Sequence, residues 1–147
     1  MMYKTAWLFL LIVFLTSCKT EKVSLKEGSR TFYYQQPDLT DPKSQTLVTL
    51  TQVEDARCPE DVNCIWGGYV SVNLEFDLRG LKKKQNLKLC FGCPSPKPGD
   101  TPTPADSDIN LEGTKYHLTL QSVKPNPNTK TPPKKEDYEV IIQIDKL

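Results

Sequence analysis

The residues best equipped for chemistry are four cysteines, Cys58, Cys64, Cys90 and Cys93, one histidine, His117, and a run of oxygen ligands from Asp106 to Glu112. Each suggests a definite reaction or ligand. Cys90-Phe91-Gly92-Cys93 has the C-x-x-C spacing of thiol oxidoreductases, which need the first cysteine at a helix N-terminus, where the dipole favours the thiolate. Leu87 to Phe91 reads instead as a strand, Pro94 follows, and no βαβ pattern surrounds the pair. Zinc on the four cysteines finds ligand spacing on one side only. Asp106-Ser107-Asp108-Ile109-Asn110-Leu111-Glu112 sets oxygens at alternate positions, as a calcium loop does. An EF-hand loop starting at Asp106 needs glycine at position 111 and glutamate at position 117, where the chain has Leu111 and His117. That leaves an irregular calcium site or a polar turn before the next strand. His117 stands on the polar side of its expected strand, and no G-x-S-x-G nucleophile motif accompanies it. So small a chain leaves little room for a glycosidase cleft. We therefore expect no catalytic residues, no metal and no cofactor.

The N-terminus sets the compartment. One charge, Lys4, precedes an apolar run from Ala6 to Leu15. As a helix that run covers about 15 Å, half of a hydrocarbon core of about 30 Å, so it does not span a bilayer. A charged start, a short apolar stretch and small residues at its end form the secretory signal pattern. Leu15-Thr16-Ser17-Cys18 resembles the bacterial lipobox. The resemblance implies cleavage before Cys18, a diacylglyceryl group on its sulfur and an acylated amino terminus; two or three chains give stable anchoring where one does not. The expected organisation is a lipoprotein signal peptide over residues 1–17, a lipidated N-terminus and tether over 18–28, and one domain over 29–147. Lys19, where lipoproteins kept in the inner membrane typically carry aspartate, favours the outer membrane.

In an exported chain an even count of cysteines reads as disulfides, and four allow three pairings. Loop entropy gives about 2 kcal/mol for either local pair, 58–64 or 90–93, and about 4 kcal/mol for a crossed pair such as 58–90. Energy alone thus favours crossing, and geometry decides. Beyond Cys18 the basic and acidic side chains balance, since Lys4 is the only charge in the leader. There is no global field to draw in nucleic acid. Lys82-Lys83-Lys84 reads as a solvated loop after Arg79-Gly80.

The elements that must position these residues are strands. Val70 to Leu78 alternates apolar and polar residues throughout, the mark of an antiparallel strand with one wet face. Tyr116 to Gln121, Tyr138 to Asp145 and Leu87 to Phe91 behave alike. Thr31 to Gln35 and Thr46 to Val53 are less regular; Val53 breaks phase, which a bulge before the cysteine loop accounts for. Twelve prolines argue against long helices. The expected fold is all-β, a small antiparallel sandwich or open barrel of six to eight strands with Pro-rich loops. Pro94 to Pro104 reads as an exposed extended loop, and Lys124 to Lys135 as a long mobile connection between the last two strands.

Asp55-Ala56-Arg57-Cys58-Pro59-Glu60-Asp61-Val62-Asn63-Cys64-Ile65-Trp66-Gly67-Gly68 resembles a D-x-R-C-P-x-x-V-x-C-x-W-x-G motif of small bacterial secreted proteins and lipoproteins. Ala56 and Gly67 replace the usual serine and alanine. The resemblance carries over no activity. It does imply that Cys58 and Cys64 pair as a unit, leaving Cys90 and Cys93 to bond locally or stay reduced. On this reading the motif is a structural staple. Pro59 stiffens the ring, Asp55 and Arg57 pair across the corner, Trp66 is a large apolar anchor whose N–H needs a partner if buried, and Gly67 and Gly68 supply permissive backbone. The functional expectation is a membrane-anchored envelope lipoprotein with a non-enzymatic binding or accessory role, with the membrane, through its lipid, and an envelope protein as expected partners, and no nucleic acid. Alternatives are a thiol-redox protein using Cys90 and Cys93, and an inhibitor-type module presenting a rigid loop.

Overall fold

A computed structural model describes residues 23–95 and 97–147; the signal segment, Cys18 and Lys19 lie outside them. Eight strands form two four-stranded antiparallel sheets. They are β1 (Gly28–Tyr33), β2 (Pro37–Leu39), β3 (Thr46–Asp55), β4 (Val70–Leu78), β5 (Lys83–Phe91), β6 (Asp106–Leu111), β7 (Thr114–Lys124) and β8 (Glu139–Lys146). One sheet runs β1-β8-β7-β6 and the other β2-β3-β4-β5. The chain is thus two meanders, the second closed by β1, forming an open sandwich. Among the described residues the only helical turns are 3-10 turns at Arg79–Leu81 and Lys135–Asp137.

The period-two pattern produces this architecture directly. In β4, Val70, Val72, Leu74, Phe76 and Leu78 all point inward and are almost wholly buried. They face Leu118, Leu120, Val140, Ile142 and Ile144 of the other sheet within one core cluster. The phase break at Val53 is a register shift between Leu50 and Gln52, so Val53 returns to the core after one extra residue. A matching shift lies between Leu120 and Ser122 and does the same for Val123.

Three expectations are corrected. The tether does not reach residue 28. Ser24 donates from its amide to Ser44 Oγ at 3.0 Å, the Leu25 amide donates to Tyr116 Oη at 3.1 Å, and Leu25 itself is buried. A buried leucine outweighs the polarity of its neighbours. The lysine run is only partly a loop: Lys82 takes the left-handed position at the turn, while Lys83 and Lys84 open β5 and pair with Glu112 and Glu75. Asp106 to Glu112 is not a ligand loop or a simple turn but strand β6 with its hairpin. Ile109 and Leu111 enter the core, and Glu112 and Gly113 make a two-residue turn with both φ positive.

The sandwich has two distinct ends. At one, the chain enters at Val23, and β3 and β7 start while β4 and β8 finish. At the other, β3 and β7 finish, β4 and β8 start, and both cysteine pairs lie.

Candidate functional site

The bridged end grows from the β3–β4 hairpin. Past Asp55 and Val70 the ladder continues: Ala56 and Tyr69 exchange amide bonds, and the Cys58 amide donates to Gly67 O at 2.8 Å. Cys58 and Cys64 form a disulfide that closes the tip into a ring, and Cys90 and Cys93 form the second. Both local pairings are therefore present.

Arg57 ties the hairpin to the rest of the molecule. Its Nε and Nη2 donate to the two Asp55 oxygens at 2.8 and 2.6 Å. Nη1 donates to Val123 O and Asn126 Oδ1, and Nη2 also to Pro125 O, at 2.8, 3.1 and 2.9 Å. The whole guanidinium fork is engaged, as a planar donor set suits. Asp55, only 4% exposed, also accepts from the Tyr138 hydroxyl at 3.1 Å. Burial pushes the Asp55 carboxyl up, but the hydrogen bonds and charge of Arg57 outweigh it and hold the group below its ordinary value. Burial, then the nearby Asp55 charge, pushes the Tyr138 hydroxyl up to about 12. The expected Asp55–Arg57 pair thus exists, and it anchors three segments instead of one corner.

The 124–135 connection is not free, contrary to expectation. The Glu60 amide donates to Pro127 O at 3.0 Å, Asn128 Nδ2 to Glu60 Oε1 at 3.4 Å, and both the amide and hydroxyl of Thr129 to Asp61. Those Thr129 bonds lower the Asp61 carboxyl below its ordinary value. The ring and the long loop brace each other.

The two glycines of the motif differ. Gly68 has φ +74°, and a Cβ there would lie 2.0 Å from Ala56 O; Gly67 has open space. Gly92, between the second pair of cysteines, has φ +71° and approaches so closely that a Cβ would sit 2.7 Å from Gly68 O. The two bridged loops therefore meet backbone to backbone. Cys90 is buried in the last turn of ladder in β5, where its amide donates to Pro104 O, and no helix begins there.

Trp66 does not serve as the apolar anchor expected of it. It is 59% exposed, beside Ile65 at 107% and near Val62 at 44%. A ring closed between residues six apart encloses no core, so Ile65 stays in solvent and Val62 and Trp66 are only partly covered. The chain thus holds apolar side chains in water on its most heavily braced loop. Glu60 of the ring also lines an open cleft of about 660 Å³, together with Lys124, Asn126, Asp137 and Glu139 among others. Three carboxylates to one ammonium give it an acidic character.

His117 lies elsewhere, on the outer face of β6-β7-β8. Its Nδ1 is 2.7 Å from Asp108 Oδ1 and its Nε2 3.6 Å from Asp106 Oδ2. The Asp108 hydrogen bond raises its pKa above the ordinary value. Among the described residues no three His, Cys, Asp or Glu side chains are grouped to hold a metal.

Sequence reasoning missed Ile65, Val62 and the partners of Arg57 on the distant loop. The Asp-x-Arg spacing and the ring size were the signals available for them. No known family model, curated protein or solved structure matches the chain.

Proposed function

We propose that this chain is an envelope lipoprotein, held by acyl chains on Cys18 at the outer membrane, whose sandwich domain has a non-enzymatic binding or accessory role. The observation that carries the binding role is the braced, apolar tip of Val62, Ile65 and Trp66 at the end opposite the chain's entry. Binding residues gather on loops positioned by a rigid scaffold, and exposed aromatic side chains on such loops serve recognition. The signal-like leader and the Leu15-Thr16-Ser17-Cys18 resemblance support the address. Metabolic labelling with a radioactive fatty acid tests it: label should appear on the wild-type chain and vanish in Cys18→Ala. An unlabelled wild type removes the anchor.

An inhibitor-type role is the second reading, favoured by Ile65 standing fully exposed next to a bridged cysteine. Stoichiometric inhibition in a panel of purified proteases, lost in Ile65→Ala, would establish it. A thiol-redox role draws on the C-x-x-C spacing of Cys90 and Cys93, but its first cysteine is buried in a strand. A 90–93 bridge that survives glutathione-range potentials in thiol titration would remove that role.

A further inference from the structure

We infer that the bridged end docks a protein partner that offers an apolar socket for Ile65 and Trp66 and basic side chains for the adjoining cleft. The orientation in this inference rests on the anchored reading above; the contact chemistry does not.

Three observations carry it. Ile65 stands in water and Trp66 largely so on one short stretch of loop, and each forfeits stabilisation that burial would return. The loop beneath them is already ordered by the 58–64 bridge, the Arg57 fork, the close backbone approach at Gly68 and the bonds from Asp61 to Thr129. A partner docking there need not supply the free energy to order it. Finally, the cleft that reaches the ring at Glu60 is lined by more carboxylates than cations. Glu60 belongs to the ring itself and also lines the cleft with Asp137 and Glu139. An opposing surface of basic side chains is therefore steered in and held in register.

The same geometry turns the tip away from the protein's own membrane. Five peptide units separate Cys18 from Val23 and reach at most about 18 Å. β4 alone, running the length of the sandwich, covers about 30 Å. The carboxylates of the cleft at this end are also repelled by an anionic lipid surface. The tip thus faces the aqueous side, where a protein surface is the occupant that fits.

Trp66 is the only tryptophan beyond the signal segment, so the contact has a built-in probe. A photoreactive benzophenone amino acid is placed at position 66, and as a control at the exposed Leu81 of the entry end, in the full chain in its native cells. Position 66 should give one discrete protein adduct that position 81 does not. The captured protein, purified and titrated against the unlabelled chain, should blue-shift Trp66 emission. Ile65→Ala should weaken that binding about 30-fold, as for a central anchor residue. Glu60→Gln with Glu139→Gln should weaken it further and flatten its salt dependence. All five substituted positions are exposed, and unchanged circular dichroism will show that the variants fold. An adduct to lipid, an adduct to a second copy of the chain, no adduct, or equal capture from position 81 overturns the inference. Failure of the anchored reading is seen separately: capture from position 66 without fatty-acid label on Cys18 keeps the docking contact and removes the anchor.

Discussion

Gly68 occupies a point where no side chain fits, because a Cβ would fall 2.0 Å from a backbone oxygen and φ is +74°. Gly68→Ala should therefore cost at least about 2 kcal/mol in urea denaturation, whereas Gly67→Ala, in open space, should change stability by less than about 0.5 kcal/mol. Arg57 is the other residue on which the bridged end depends. Truncation strands the buried Asp55 carboxylate and two loop carbonyls, so Arg57→Ala should cost about 3 kcal/mol in the same assay. Arg57→Lys should recover only a fraction, since a single ammonium cannot reproduce the fork. Tyr138 gives the pair an alkaline signature. Its hydroxyl keeps its proton to about 12 in the folded state but loses it near 10.0 when unfolded. The folded state then holds more protons, so stability is full below pH 10 and falls as pH rises toward 12. Tyr138→Phe should abolish that part of the decline in a pH series of melting curves. Asp55 acts at the other extreme, adding stability above its ordinary value that is lost as pH falls through its lowered one. The Asp55–Arg57 pairing was legible from spacing alone. The carbonyls of Val123 and Pro125 and the hydroxyl of Tyr138 were not, because they lie 66 to 83 residues away in the chain, and sequence carries no distance across a sandwich.

Strands were legible where alternation is long enough to count. β4 runs over the nine residues that alternate, and the bulge in β3 follows from a single phase error at Val53. β2, three residues with a leading proline, is too short to show a period. β6 was hidden differently: its outward carboxylates imitate a ligand loop, while only Ile109 and Leu111 mark the inward face. The 124–135 connection looked mobile from its prolines, because composition reports what a loop lacks internally and not what it touches. Its attachment through Asp61 is testable. Asp61→Ala removes the acceptor for the Thr129 amide and hydroxyl and should speed hydrogen exchange over residues 126–131 by roughly threefold to tenfold, with β7 and β8 unchanged. Uniform acceleration across the sheet would mean the loop is part of the global fold, not a separately tied strap.

At the scale of the molecule, the position of Trp66 overrides the ordinary expectation that a tryptophan reports on the core. Its size made it the expected anchor, and it lies largely outside because the ring just before it has no interior. Trp66 emission should accordingly be that of a largely solvent-facing indole, and should move little through a denaturant transition that far-ultraviolet circular dichroism follows fully. A blue native spectrum would mean that Trp66 has found a pocket.

The chain's point of entry and its exposed tip lie at opposite ends of the strands. A pull between them runs parallel to the β1–β8 ladder, where every inter-strand bond lies across the line of force. The bonds then resist together, in shear, instead of parting one by one as in a zipper. The Cys58–Cys64 link keeps the ring from paying out slack before that shared resistance is reached, so the domain acquires the mechanics of a tow-line.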